Sequence, residues 1–221
     1  MRLHSSYTSP YVRKVKIFLR ETGLSGEVEE IYTHPADEPA LRPLNPLGKI
    51  PVLETGEGEA LYDSVVICAW LDTRHGGARR IPEAGAARWC VLRGEALADG
   101  LTDAANLRRN EALREPGLIS RDFIARQDLA ISHALLALDQ AAAAWEECAP
   151  VLHDQISAAA ALGYIAFRYG DLPWREHCPR LADWFARFSE RESFAATLPA
   201  EWPGRPAPPP QSVPPRWSVA L

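Results

Sequence analysis

Cysteine is scarce in this chain of 221 residues. Cys68, Cys90, Cys148 and Cys178 lie far apart, with no C-x-x-C pair and no histidines at zinc-ligand spacing. This excludes a dithiol redox centre, a disulfide framework and a structural zinc site, and the four read as reduced thiols with no metal expected. Long apolar runs are missing too. No segment reaches the roughly 18 apolar residues of a membrane span, and Met-Arg-Leu-His-Ser-Ser-Tyr at the N-terminus lacks the apolar stretch of a signal peptide. The expected location is cytoplasmic, away from membranes. Nor is there an excess of basic charge: 24 Lys and Arg against 29 Asp and Glu leave a net charge of -5. Such a balance offers neither a stripe for a phosphate backbone nor a polybasic patch for anionic lipid, so no nucleic-acid partner is expected.

What is present suits a folded protein. Hydrophobic residues make up 47% and charged residues 24%, outside the disordered range, and the length allows two domains with their own cores. Arg2-Leu3-His4 reads as a short strand. Ser9 and Pro10 then make an N-cap and a first helical position. From there Tyr11, Val12, Val15, Phe18 and Leu19 recur at helical spacing, with Arg13, Lys14, Lys16, Arg20 and Glu21 between them until Gly23 stops the pattern. Val28 to Tyr32 predicts a second strand. Pro35, Pro39, Pro43 and Pro46 then allow only a short or irregular helix. Ile50 to Glu54, a turn at Gly56 to Gly58, and Glu59 to Tyr62 read as a hairpin, and a third helix runs from Ser64 toward Arg74.

The order β-α-β-α-β-β-α is that of an α/β thioredoxin-like domain with a mixed sheet, predicted over residues 1–76. Residues 77–85 mix glycine, proline and charge and read as a linker. An all-α domain of bundled helices follows over 86–198. Its candidates are Ala86 to Arg114 and Ser120 to Trp145, split by Pro116-Gly117, then Gln155 to Tyr169. After a turn bracketed by Pro173 and Pro179 comes a helix carrying Leu181, Trp184, Phe185 and Phe188 on one face. Eight of the nineteen prolines lie at or after Pro199, so residues 199–221 are expected to be an extended or disordered tail.

Three segments carry chemistry. At Ser6-Tyr7-Thr8-Ser9-Pro10 a run of hydroxyls meets a helix N-terminus, whose unpaired N–H groups and partial positive charge favour an anion and can hold a ligand thiol as thiolate. Ser9 also reads simply as a cap. At Asn45-Pro46-Leu47-Gly48-Lys49-Ile50-Pro51 a proline opens a strand; a cis Ile50-Pro51 bond would leave the Ile50 backbone free to pair with an extended peptide, though an ordinary turn also fits. At Tyr62-Asp63-Ser64 the carboxylate can accept from an amino group while the Ser64 hydroxyl and the helix N–H groups hold a carboxylate, or both residues merely cap the helix.

Taken together, these segments resemble the glutathione S-transferase superfamily, the bacterial YibF-type members most. The likeness continues through Glu95-Ala96-Leu97-Ala98-Asp99-Gly100 and Leu162-Gly163-Tyr164 to Arg187-Phe188-Ser189-Glu190-Arg191-Glu192-Ser193-Phe194. It implies a cytoplasmic, homodimeric detoxification enzyme that takes glutathione as co-substrate and conjugates it to a small hydrophobic electrophile. Carried over, Ser9 is the catalytic residue that holds the glutathione sulfur, Ile50 with Pro51 pairs the cysteinyl backbone, Lys49 meets the glycyl carboxylate, and Asp63 with Ser64 takes the γ-glutamyl end. Asp99 resembles an acid supplied across the dimer to the ligand amine, or else forms a salt bridge. Members differ in using tyrosine or cysteine at the thiol, so Ser6, Tyr7, Thr8 and Ser9 all remain candidates. Leu152-His153-Asp154-Gln155 departs from the Ser/Thr-x-x-Asp box usual before the Leu-Gly-Tyr segment, and the tail has no counterpart in the pattern. A non-catalytic binding module on the same scaffold is the alternative. A thiol–disulfide oxidoreductase would need a cysteine where Ser9 stands.

Overall fold

The computed structural model describes residues 1–34, 39, 41–145, 150–204 and 211–219. Cys148 and the proline run 206–210 lie outside the described residues. The first third is a thioredoxin-like layer: β1 (Arg2–Ser5), α1 (Pro10–Glu21), β2 (Glu29–Tyr32), a short α2 (Leu41–Leu44), β3 (Val52–Glu54), β4 (Ala60–Leu61) and α3 (Ser64–Leu71). The sheet order is β2-β1-β3-β4, with β1 parallel to β2 and antiparallel to β3, and β3 antiparallel to β4. Leu3, Val15, Phe18, Leu53, Ile67 and Leu71 fill the space between the sheet and its helices and are fully buried.

Helices dominate the remainder: α4 (Gly85–Ala112), α5 (Arg121–Trp145), α6 (His153–Arg168), α7 (Trp174–His177), α8 (Pro179–Ser189) and α9 (Glu192–Ala195). α6 is buried along almost its whole length, which its run of alanines from Ala158 to Ala161 permits by letting α4 approach closely. At Gly94 on α4 an added Cβ would lie only 2.6 Å from the Asp154 Cβ on α6. Between Pro173 and Pro179, where a turn was expected, the chain makes the single helical turn of α7, because Trp174 is 1% exposed and anchors it. α6 starts without a side-chain cap; Asp154, one residue in, instead accepts from Trp145 Nε1 at 3.0 Å.

The two halves meet along α1, which packs on α6 and α9 as well as on α3. The charged residues between the apolar positions of α1 are therefore not all on a solvated face. Arg13 and Lys14 are 4% and 1% exposed, because helices of the second half cover the side away from the sheet.

Candidate functional site

The register of the sheet brings the three sequence segments to one end of it. His4 pairs with Val52 and Leu53 with Leu61, so the chain after β1, before β3 and after β4 leaves the sheet at the same end, which puts Ser6, Ile50 and Asp63 there. The N-terminus of α1 rises from this same end.

Ser9 caps α1: its extended backbone ends the loop, and its Oγ accepts from Val12 N–H at 3.3 Å. That bond occupies one lone pair of the hydroxyl and leaves its O–H proton available to a ligand. The neighbouring hydroxyls are engaged in other ways. Ser6 is buried and its Oγ accepts from Thr8 N–H at 3.2 Å, bracing the loop. Tyr7 stacks on Tyr32 with ring centroids 4.1 Å apart and meets the edge of Trp202 at 5.0 Å.

The turn before β3 is shaped by Asn45, which is 2% exposed. Its side chain donates to Lys49 C=O at 2.8 Å and accepts from Leu47 N–H at 3.1 Å. Gly48 takes the left-handed φ of 63° that the turn needs, with the Arg42 guanidinium over it. Ile50-Pro51 is cis, as the sequence predicts, and Lys49 is exposed. Asp63 caps α3, with Oδ1 accepting from Val65 N–H at 3.0 Å; it is exposed, Ser64 beside it is buried, and Tyr62-Asp63 is also cis.

Beside Ser9 opens a cavity of about 230 Å³, walled by Tyr7, Arg13, Tyr32, Tyr164, Leu198 and Pro199 among others. Lys49, Ile50, Pro51, Asp63 and Ser64 are outside it, on the flank of the same end of the sheet. Arg13 is the wall residue that sequence reading missed. Its Nη2 donates to Phe194 C=O at 3.2 Å and its guanidinium lies 3.9 Å from the Phe194 ring centre, while Nε and Nη1 have no partner among the described residues. Burial without a carboxylate pushes its pKa down to about 10. An added Cβ at Gly163 would fall 1.9 Å from Nη1, so this glycine inside a helix is the sequence signal that a bulky neighbour crosses there.

Asp99 is not at the cavity. Both its oxygens are taken by Lys14 Nζ, at 2.7 and 2.9 Å, and Lys14 also reaches Glu95 at 3.2 Å, which in turn meets His153 Nε2 at 2.9 Å. Of the two readings offered for Asp99, the salt bridge is the one seen within a single chain. Burial works to lower the Lys14 pKa, but the Asp99 and Glu95 charges outweigh it and raise it. The thiol of Cys68, fully buried, is pushed up by burial and is not poised as a thiolate. No group of side chains among the described residues is arranged to hold a metal ion, and no helix among them is long and apolar enough to cross a membrane.

Comparison with known proteins agrees with the likeness. Residues 3–79 match the model of the glutathione S-transferase N-terminal domain. The uncharacterized GST-like protein YibF of Escherichia coli K12 is 34% identical over 200 residues, spanning 90% of this chain and 98% of that protein. Among solved structures, a glutathione transferase family member from Pseudomonas fluorescens Pf-5 with bound glutathione superposes with a TM-score of 0.85 at 42% identity, over 90% of this chain and 99% of that one. A glutathione S-transferase from Methylobacillus flagellatus KT with glutathione bound gives 0.84 at 37% identity, over 90% and 99%.

Proposed function

This chain belongs to the glutathione S-transferase family, and we propose that it binds glutathione, stabilises the thiolate at the N-terminus of α1 and conjugates it to a small electrophile. The observation that carries the reading is the convergence of Ser9, Ile50 and Asp63 on one end of the sheet. A tripeptide thiol needs three things at once: a donor for sulfur, a free backbone edge for its middle residue, and a carboxylate for its amine. Ser9 donates its O–H to the sulfur while the α1 N–H groups add their partial charge. Ile50 pairs the cysteinyl backbone beside Pro51, Asp63 and Ser64 hold the γ-glutamyl end, and Lys49 meets the glycyl carboxylate. Relatives with bound glutathione support the same reading. In the reaction the thiol proton leaves to solvent, the sulfur lone pair forms the new C–S bond, and the acceptor's leaving group departs with its bonding pair.

We further propose a cytoplasmic homodimer. Val65 and Val66 on α3 and Trp89 on α4 are exposed, Trp89 by 68%, and a second copy of the chain would cover them. A sedimentation mass near 24.4 kDa at micromolar concentration would contradict it.

The thiolate absorbance of bound glutathione followed against pH tests the catalytic reading. A hydrogen bond to a charged group is worth about 1.5–3 kcal/mol, so Ser9→Ala should raise the bound thiol's pKa by about one to two units. An unchanged titration assigns activation to Tyr7, Thr8 or the helix N–H groups alone. Absence of glutathione binding to the unaltered protein removes the enzyme reading in favour of a binding module for other partners.

A further inference from the structure

We infer that the extended segment after α9 is the wall that sizes the acceptor side of this site and restricts it to compact acceptors; the inference rests on the glutathione reading above. After α9 the chain does not simply trail along the helices. It crosses to the loop that carries Ser9: Ala200 N–H donates to Tyr7 C=O at 3.1 Å, and the Trp202 ring stands edge-on to Tyr7 and to His34 at 5.0 and 5.2 Å. Leu198 and Pro199 thereby become cavity wall together with Ser9, and Leu198 remains 62% exposed.

Further ties hold the segment against the helices. Gln211 Nε2 donates to Arg168 C=O at 3.1 Å, and Arg168 itself pairs with Glu201. Arg108, fully buried, holds Asp128 with Nε and spends its remaining donors on the tail: Nη1 on Gln211 Oε1 at 2.7 Å, and Nη2 on the C=O groups of Pro214 and Val213 at 2.7 and 3.2 Å. Trp217 stacks on His177 with centroids 4.3 Å apart, and Ser218 N–H donates to Ser132 Oγ. Prolines suit such a strap, because they lack the N–H groups that would need partners on a path without a sheet.

The cavity, open to solvent on one side, has a volume of about 230 Å³, below the roughly 300–1,000 Å³ of pockets for drug-sized ligands. Because Ser9 is part of the wall, a substituent on the glutathione sulfur would enter this space. The experiment measures binding of a series of S-alkylglutathiones, methyl to nonyl, to the full chain by calorimetry. Each methylene that enters should tighten binding about four-fold until the space is filled, after which longer chains should lose affinity. Leu198→Trp should shorten the best chain and Leu198→Ala lengthen it, read within each variant as the ratio of S-hexyl to S-methyl affinity. Trp202→Ala, which removes the ring contact to Tyr7 and leaves the Ala200 bond to hold the strap there, should lengthen it by a carbon or more. An optimum that stays at the same length in all three variants overturns the inference and leaves glutathione binding intact. Failure of every S-alkylglutathione and of glutathione itself to bind the unaltered chain overturns the underlying reading, and this one with it.

Discussion

Helix α1 meets the second half of the protein on two sides built in opposite ways. On one side Lys14 is saturated: three oxygens of Asp99 and Glu95 surround Nζ, and His153 closes the network on Glu95. On the other, Arg13 is equally buried but has no carboxylate, and two of its nitrogens are without partners among the described residues. A buried cation with its anions in place acts as a fixed joint, and removing one member strands the rest. A buried cation without an anion leaves a positive field with nothing to answer it, and this is the side on which the cavity opens beside Ser9. Both faces join the two halves, but only the Arg13 side also forms a wall of the cavity.

The largest effect expected from this contrast is on stability. Lys14→Met leaves the buried Glu95 and the half-buried Asp99 without their cation and should cost about 3–5 kcal/mol, with Tm lower by roughly 10 °C or more. Arg13→Met strands no charge and loses one hydrogen bond and one ring contact, about 1–2 kcal/mol. Equal losses in thermal unfolding would break the comparison. Acid titration sharpens it. Burial alone would raise the Glu95 carboxyl, but its hydrogen bond to His153 and the His153 and Lys14 charges outweigh burial and hold it below the usual 4.5. A depressed folded-state value means that the contribution is complete above the unfolded value and is lost as pH falls through the folded one. Denaturant midpoints should therefore drop on acidification below about pH 4.5, and drop less steeply in Glu95→Gln.

A smaller effect is expected where Arg13 crosses α6. Gly163→Ala drives a methyl into Nη1 and should cost about 1–3 kcal/mol. Shortening the obstacle removes the clash, so Arg13→Ala combined with Gly163→Ala should cost less than the sum of the two single changes. Additive losses in urea unfolding would mean that the glycine serves α6 itself rather than the guanidinium.

Much of α1 was legible in the sequence because its signals are local. Ser9, Pro10 and Gly23 mark its ends, and the apolar spacing marks the face it turns to the sheet. The cis Ile50-Pro51 bond and the three clustered segments were legible for the same reason: each rests on a few adjacent residues. The burial of Arg13 and Lys14 was not legible, because amphipathic periodicity tells only which face meets the first packing partner. Their burial depends on α4, α6 and α9, which lie 80 to 180 residues away in the chain. The tail was hidden in the same manner. Its composition predicts an extended path, which the described residues have, but the surface it follows is set by Arg108, a helical residue with no local mark of such a role.

The smallest expected change in stability separates cap from ligand group at Asp63. The residue does one visible thing, accepting from Val65 N–H through Oδ1, and a second that is proposed, holding the γ-glutamyl amine. Asn is about as good an N-cap as Asp, so Asp63→Asn should keep α3 intact and shift stability by only a few tenths of a kcal/mol. Its amide carries no charge, however, and a charge-assisted hydrogen bond worth about 1.5–3 kcal/mol would be reduced toward a neutral one. Glutathione affinity should then fall about five- to ten-fold, with the bound thiol's titration unmoved because the sulfur lies at the other end of the tripeptide. Asp63→Ala should lose the cap as well, adding about 1 kcal/mol to the stability cost. Calorimetric titration beside thermal unfolding reads both quantities on the same samples. Unchanged affinity in Asp63→Asn would leave Asp63 as a cap alone, and would move the recognition of the amine to Ser64 or to a second copy of the chain.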